Sequence, residues 1–179
     1  MANKRCREDI VLDKDYSITA KRKGMADELE YYLGRSYKAT RGAVKDITLS
    51  GEYMIIPYGV NLDASQAIAD WYKRQAEKVL LPRLKELSER YGLPYASHGL
   101  SGAYSYFGVC YMPSARILLN WRLLLYPMEV IDYVIVHELC HTLQSNHSKL
   151  FWQEVERRYP DYKRVRDWLK RNGKMVRIL

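Results

Sequence analysis

Cysteine is scarce: Cys6, Cys110 and Cys140 are three in 179 residues, an odd count without CxxC spacing. That excludes a disulfide framework and points to a reducing cytoplasm. Phenylalanine is scarcer, at two, while tyrosine reaches 16 and hydrophobic content is ordinary. The most apolar stretch, residues 117–136, is interrupted by Arg122, Glu129 and Asp132, which rules it out as a membrane span. The first nine residues lead to no apolar h-region, so no secretory signal is expected. Repeats, low-complexity runs and long linkers are missing too. The chain therefore reads as residues 1–15, a flexible lead-in, followed by a single domain over 16–179 with enough length for a core.

Acidic residues are outnumbered, 21 against 29, giving a net charge of +8. Much of the excess lies late, in Lys149, Arg157, Arg158, Lys163, Arg164, Arg166, Lys170, Arg171, Lys174 and Arg177. Such a tail offers a surface for nucleic acid or acidic partners. Its interleaving with Glu154, Glu156, Asp161 and Asp167 favours a solvated helix face instead.

Three of the four histidines fall in the run His137-Glu-Leu-Cys-His141-Thr-Leu-Gln-Ser-Asn-His147. On a helix, residues four apart differ by about 40° around the axis and lie one turn apart. His137 and His141 can then aim at one ion, with Glu138 placed to act on a water beside it. A continuing helix would carry His147 about 9 Å past His141 on another face. As a third ligand His147 requires the chain to leave the helix between Thr142 and Asn146; Asn146 suits a left-handed exit and Ser148 the N-cap of a following helix. The spacing equals the metzincin pattern, with Gln144 in place of its glycine. The expectation is one Zn²⁺ per chain on His137, His141 and His147, with Glu138 as general base in a zinc-activated attack of water on a peptide bond. Cys140, inside the motif, points off the ligand face and is read as a core residue.

Helical character is expected over 18–33, ending at Gly34, and a hairpin over 46–57 through Ser50-Gly51. Asp63 or Ser65 caps a long amphipathic helix to about Tyr91, which Pro82 should kink or break. Short strands are expected at 103–111 and 115–120. A helix with Pro127 at its first position then carries the motif, followed by one from Ser148 to about Tyr159 and another from Pro160-Asp161 to near Gly173. This order implies an α+β domain with the metal between a small sheet and helices. His98, in a Ser-His-Gly turn, is read as an exposed loop residue, and Tyr111, Tyr126 and Arg116 are weak candidates for stabilising an oxyanion.

The runs Ile117-Leu-Leu-Asn120-Trp-Arg122, Ile131-Asp-Tyr-Val-Ile-Val-His137-Glu-Leu-Cys-His141 and Asn146-His147-Ser-Lys-Leu-Phe151-Trp152 resemble the YgjP-like metallopeptidases, relatives of the WLM and SprT-like zinc proteases. The resemblance is specific over about 105–169. It implies a zincin-like fold, a small antiparallel sheet packed on helices with HExxH on the active-site helix. It also implies zinc on the three histidines, Glu138 as catalytic base, and a protein or peptide substrate. Where the family has a W-G-S-C-type strand on the substrate side, this chain has Phe107-Gly108-Val109-Cys110, alike only in Gly and Cys. That strand could also pair with an extended peptide at a sheet edge. The competing expectation is a nucleic-acid-associated zinc protein, or a protease acting on DNA-bound proteins. Glu138 between the ligands argues against a purely structural zinc, which has no use for it.

Overall fold

The computed structural model describes residues 29–60 and 64–173. Cys6, the lead-in over 1–15 and the first part of the helix expected over 18–33 lie outside them. The described end of that helix is a strand. β1 (Leu29–Tyr32) turns through Leu33 and Gly34, both at positive φ, into β2 (Arg35–Gly42), with Tyr32 opposite Arg35. Two left-handed residues in a two-residue loop match the twist of the flanking strands, and aromatic Tyr31-Tyr32 suits a pleated surface. Gly34 also allows close approach: a Cβ there would stand 2.7 Å from Cγ of Pro127.

The expected hairpin forms between β3 (Thr48–Ser50) and β4 (Tyr53–Pro57), turning at Gly51. β4 also pairs parallel with β2, giving the order β1-β2-β4-β3. α1 (Ala64–Tyr91) buries Ile68, Trp71, Tyr72, Ala76, Leu80, Leu84 and Leu87 along one stripe. Of the kink or break expected at Pro82, the break does not occur: the helix runs on through it. Pro82 sits on the exposed face, where the carbonyl it leaves without an amide partner meets water.

A second sheet has the order β5-β7-β6, from β5 (Ser97–Ser101), β6 (Gly108–Tyr111) and β7 (Arg116–Asn120). β6 is antiparallel to β7, and β5 is parallel to it. Both sheets are thus small and mixed in direction. The strand expected over 103–111 forms only from Gly108. Residues before it are a loop pinned by the run Asn120-Trp121-Arg122. The Asn120 amide donates to the carbonyls of Ala103 and Tyr106, and the Arg122 guanidinium donates to that of Gly102 at 2.9 Å.

α2 (Met128–Cys140) lies at the centre, with every residue from Val130 to Cys140 buried except Asp132. Pro127 stands at its cap, one position before that expected, and its carbonyl accepts from Val130 and Ile131. Arg83 of α1 grips Asp132 through both carboxylate oxygens, at 2.7 and 2.6 Å. α3 (Lys149–Arg158) and α4 (Tyr162–Asn172) close the other side of α2 within a residue or two of their expected ends. Among the described residues, no helix is long and apolar enough to cross a membrane.

Candidate metal centre

The last turn of α2 delivers His137, Glu138 and His141, exposed by only 2%, 3% and 2%. His141 ends the helix, and the amides of Leu143 and Gln144 both close onto the carbonyl of Cys140. The chain therefore leaves the helix where His147 requires it to. The left-handed exit at Asn146 is not used, since among the described non-glycine residues only Leu33 and Ala115 have positive φ. Asn146 turns the chain with its side chain, Oδ1 accepting from the amide of Ser148 at 3.2 Å. Ser148 then caps α3 as expected, accepting from Phe151 at 3.4 Å.

This exit swings His147 back over the helix end. Its Nε2 lies 2.9 Å from Nε2 of His137, which lies 3.3 Å from Nε2 of His141. Three ligand atoms, one from each ring, fall within 4.8 Å of one another. A tetrahedral ion with Zn–N bonds of about 2.0–2.1 Å holds neighbouring nitrogens about 3.3–3.4 Å apart, so the set has the right size.

The rings are held by aromatic contacts. Phe151 stacks on His141 with centroids 4.4 Å apart, and Trp152 stacks on His147 at 5.5 Å. Burial pushes the pKa of His141 and of His147 down to about 4, aided at His147 by Arg166, and pushes His137 well below its ordinary value. All three imidazoles are thus neutral near pH 7, the form that binds a metal. At His141 the tautomer is set locally: Nδ1 donates to the Gln144 carbonyl at 3.0 Å, leaving the Nε2 lone pair to face its neighbours. Three converging lone pairs in a dry site repel one another, and a cation at their meeting point removes that cost. The donor set fits a borderline-soft ion such as zinc.

Glu138 lies beside β6. A Cβ at Gly108 would stand 2.6 Å from its Cγ and 2.9 Å from Oε1. Position 108 must therefore be glycine for the carboxylate to occupy this place, a constraint that spacing along the chain does not reveal. Of its neighbours, Phe107 just before the strand turns into the core against Tyr126, and Val109 and Cys110 within it are buried. The oxyanion candidates are scattered. Tyr126 is fully buried with its hydroxyl donating to Gly173 at 2.9 Å, whereas Arg116 is exposed at the start of β7 and Tyr111 ends β6. His98 is exposed, as expected, but on strand β5. Cys140 is fully buried, in keeping with a core role.

A buried helix that presents two histidines and a glutamate, met by a third histidine and backed by a small sheet, defines a metal-dependent peptidase. The family model for the YgjP-like metallopeptidase domain matches residues 10–172, and the chain belongs to that family. Among solved structures it is similar to the metallopeptidase zymogen of Pyrococcus abyssi abylysin, with 22% identity over 52% of this chain and 94% of that one, at a TM-score of 0.47. No curated protein sequence matches the chain.

Proposed function

We propose that the protein is a zinc peptidase that binds one zinc ion per chain through Nε2 of His137, His141 and His147 and uses Glu138 as its general base. The observation that carries this reading is the convergence of three neutral imidazoles, two buried and one half-buried, beside a carboxylate held against glycine. Bound there, zinc supplies Lewis acidity to a carbonyl and makes water a nucleophile near neutral pH. Glu138 takes the proton from the attacking water and returns it to the leaving amine. Gly108 keeps the carboxylate in reach of both events. β6 stands at the edge of its sheet beside Glu138, but Gly108, Val109 and Cys110 are buried there, so an extended peptide would pair along them only after the cover over that edge moves.

A peptide substrate is favoured over nucleic acid by the pairing of the basic helices. Arg158 bonds Glu154, Lys163 bonds Glu156 at 3.2 Å and Arg164 bonds Glu129 at 3.0 Å, which leaves a mixed-charge face. Cys110 and Cys140 are buried thiols that form no disulfide among the described residues, which fits a reducing cytoplasm. Metal analysis tests the reading: the purified protein should carry about one zinc, His141→Ala should lose it, and Glu138→Gln should keep it while losing about 10²–10⁴-fold in peptide hydrolysis. Stoichiometric zinc in His141→Ala would refute the ligand set, and undiminished hydrolysis in Glu138→Gln would move the base elsewhere.

A further inference from the structure

We infer that Tyr133 is a positioning residue for the metal, its hydroxyl accepting the Nδ1–H of His137 through one buried water. The inference rests on the ligand set proposed above. If Nε2 of His137 offers its lone pair, Nδ1 must carry the ring hydrogen. Metal-binding imidazoles almost always donate that outer N–H to an acceptor, which fixes the ring and raises its basicity. For His141 the acceptor is the Gln144 carbonyl, 3.0 Å away. For His137 the outer nitrogen is buried with no hydrogen-bond partner among the described residues, and two other atoms of α2 share that condition: the hydroxyl oxygen of Tyr133 and Oε2 of Glu138, the carboxylate assigned above to the reacting water.

The two residues lie one helical turn apart, with ring centroids separated by 5.9 Å. The other rings around His137 are Phe151, Trp152, His141 and His147. Phenylalanine has no polar atom, and the indole nitrogen of Trp152 only donates. The Nε2 atoms of His141 and His147 face the metal position, and Nδ1 of His141 is engaged by Gln144. With the Glu138 carboxylate given to the reacting water, Tyr133 carries the acceptor that remains within this shell of rings. The two atoms do not bond directly, and a water with two polar partners in a buried site is an ordinary way to join such a pair. Main-chain geometry would then orient one ligand ring, and a hydroxyl on the same helix would orient the other.

Removing only the hydroxyl tests this. Zinc affinity is measured by competition with a chromophoric chelator for the wild type and for Tyr133→Phe. The visible spectrum of the Co²⁺ form and the thermal midpoint of the metal-free form are recorded for each. Tyr133→Phe should bind zinc about 10–100-fold more weakly and shift the Co²⁺ bands. Its metal-free midpoint should change little, because in that state the hydroxyl holds only the bridging water. An affinity within about threefold of wild type overturns the inference, given the range expected for such outer partners. A markedly lower metal-free midpoint also overturns it, since the hydroxyl would then have a structural partner. Failure of the wild type itself to take zinc is visible in the first titration and removes the ligand reading with it.

Discussion

α1 and α2 pack against each other, yet they solve opposite problems. α1 buries a single stripe from Ile68 to Leu87 and leaves charged residues such as Lys73, Lys85 and Arg90 in water. α2 has almost no wet face, and still its last turn holds two imidazoles and a carboxylate. A surface helix needs only a stripe of the right period. A central helix can carry ionisable groups only if they stay neutral, pair, or meet a metal. Position relative to the core thus separates the helix that stabilises from the helix that reacts, and four perturbations should show it.

The largest effect should come from acid. Burial holds His137, His141 and His147 below the ordinary histidine value of 6.5, the latter two at about 4. Below pH 6.5 the unfolded chain takes up protons that the folded metal-free chain refuses. The stability these groups allow is therefore full above about 6.5 and is lost as pH falls toward about 4. On α1, Asp70 and Glu86 are also lowered, through Lys73 and Arg83, but from 3.8 and 4.5, so their loss comes at lower pH. Urea midpoints of the metal-free protein should drop between about pH 6.5 and 4.5 and be protected by zinc. A flat profile across that interval would mean that the imidazoles are solvated.

Leu84→Ala should separate the helices from the other side. Leu84 is fully buried on α1, and its truncation should cost about 2–5 kcal/mol in chemical unfolding. Zinc affinity of the folded protein should stay close to wild type, because the rings packed on the three histidines come from α2 and α3. A large loss of affinity would show that α1 shapes the site. Gly108→Ala should do the reverse. Its Cβ meets Glu138 at 2.6 Å, an overpacking cost of about 1–3 kcal/mol, and it should depress hydrolysis more than zinc content. Hydrolysis equal to wild type would mean that Glu138 is free to sit elsewhere.

The same contrast explains what could be read from the chain before its structure. The cluster of His137, His141 and His147 was legible because coordination fixes residue type and spacing together, and Ser148 as a cap followed from where the chain had to turn. The turn itself was not, since an Asx bond at Asn146 and a left-handed residue there serve the same exit. Leu29–Tyr32 read as helix because four residues carry little periodicity, and only its pairing with β2 settles it. β5 was missed for lack of β-branched residues in Ser97-His-Gly-Leu-Ser101; its strand form comes from a parallel partner in β7. Gly108 matters through Glu138, thirty residues away, and His137 is packed by Phe151 and Trp152 from another helix. Local chemistry shows in sequence; contacts across the fold do not.

Ser148→Ala should have the smallest effect and divides the two kinds of helix most finely. The hydroxyl caps α3, so its loss should cost about 1 kcal/mol, as for any surface cap. But α3 carries Phe151 and Trp152, which stack on His141 and His147. A frayed first turn therefore loosens two of the three ligand rings as well as one helix end. Zinc affinity should fall a few-fold along with the midpoint, and Ser148→Asp, which caps as well as serine, should restore both. A midpoint that falls while affinity stays put would mean that the stacking rings hold the ligands without the cap. The site would then be insulated from the helix that closes it.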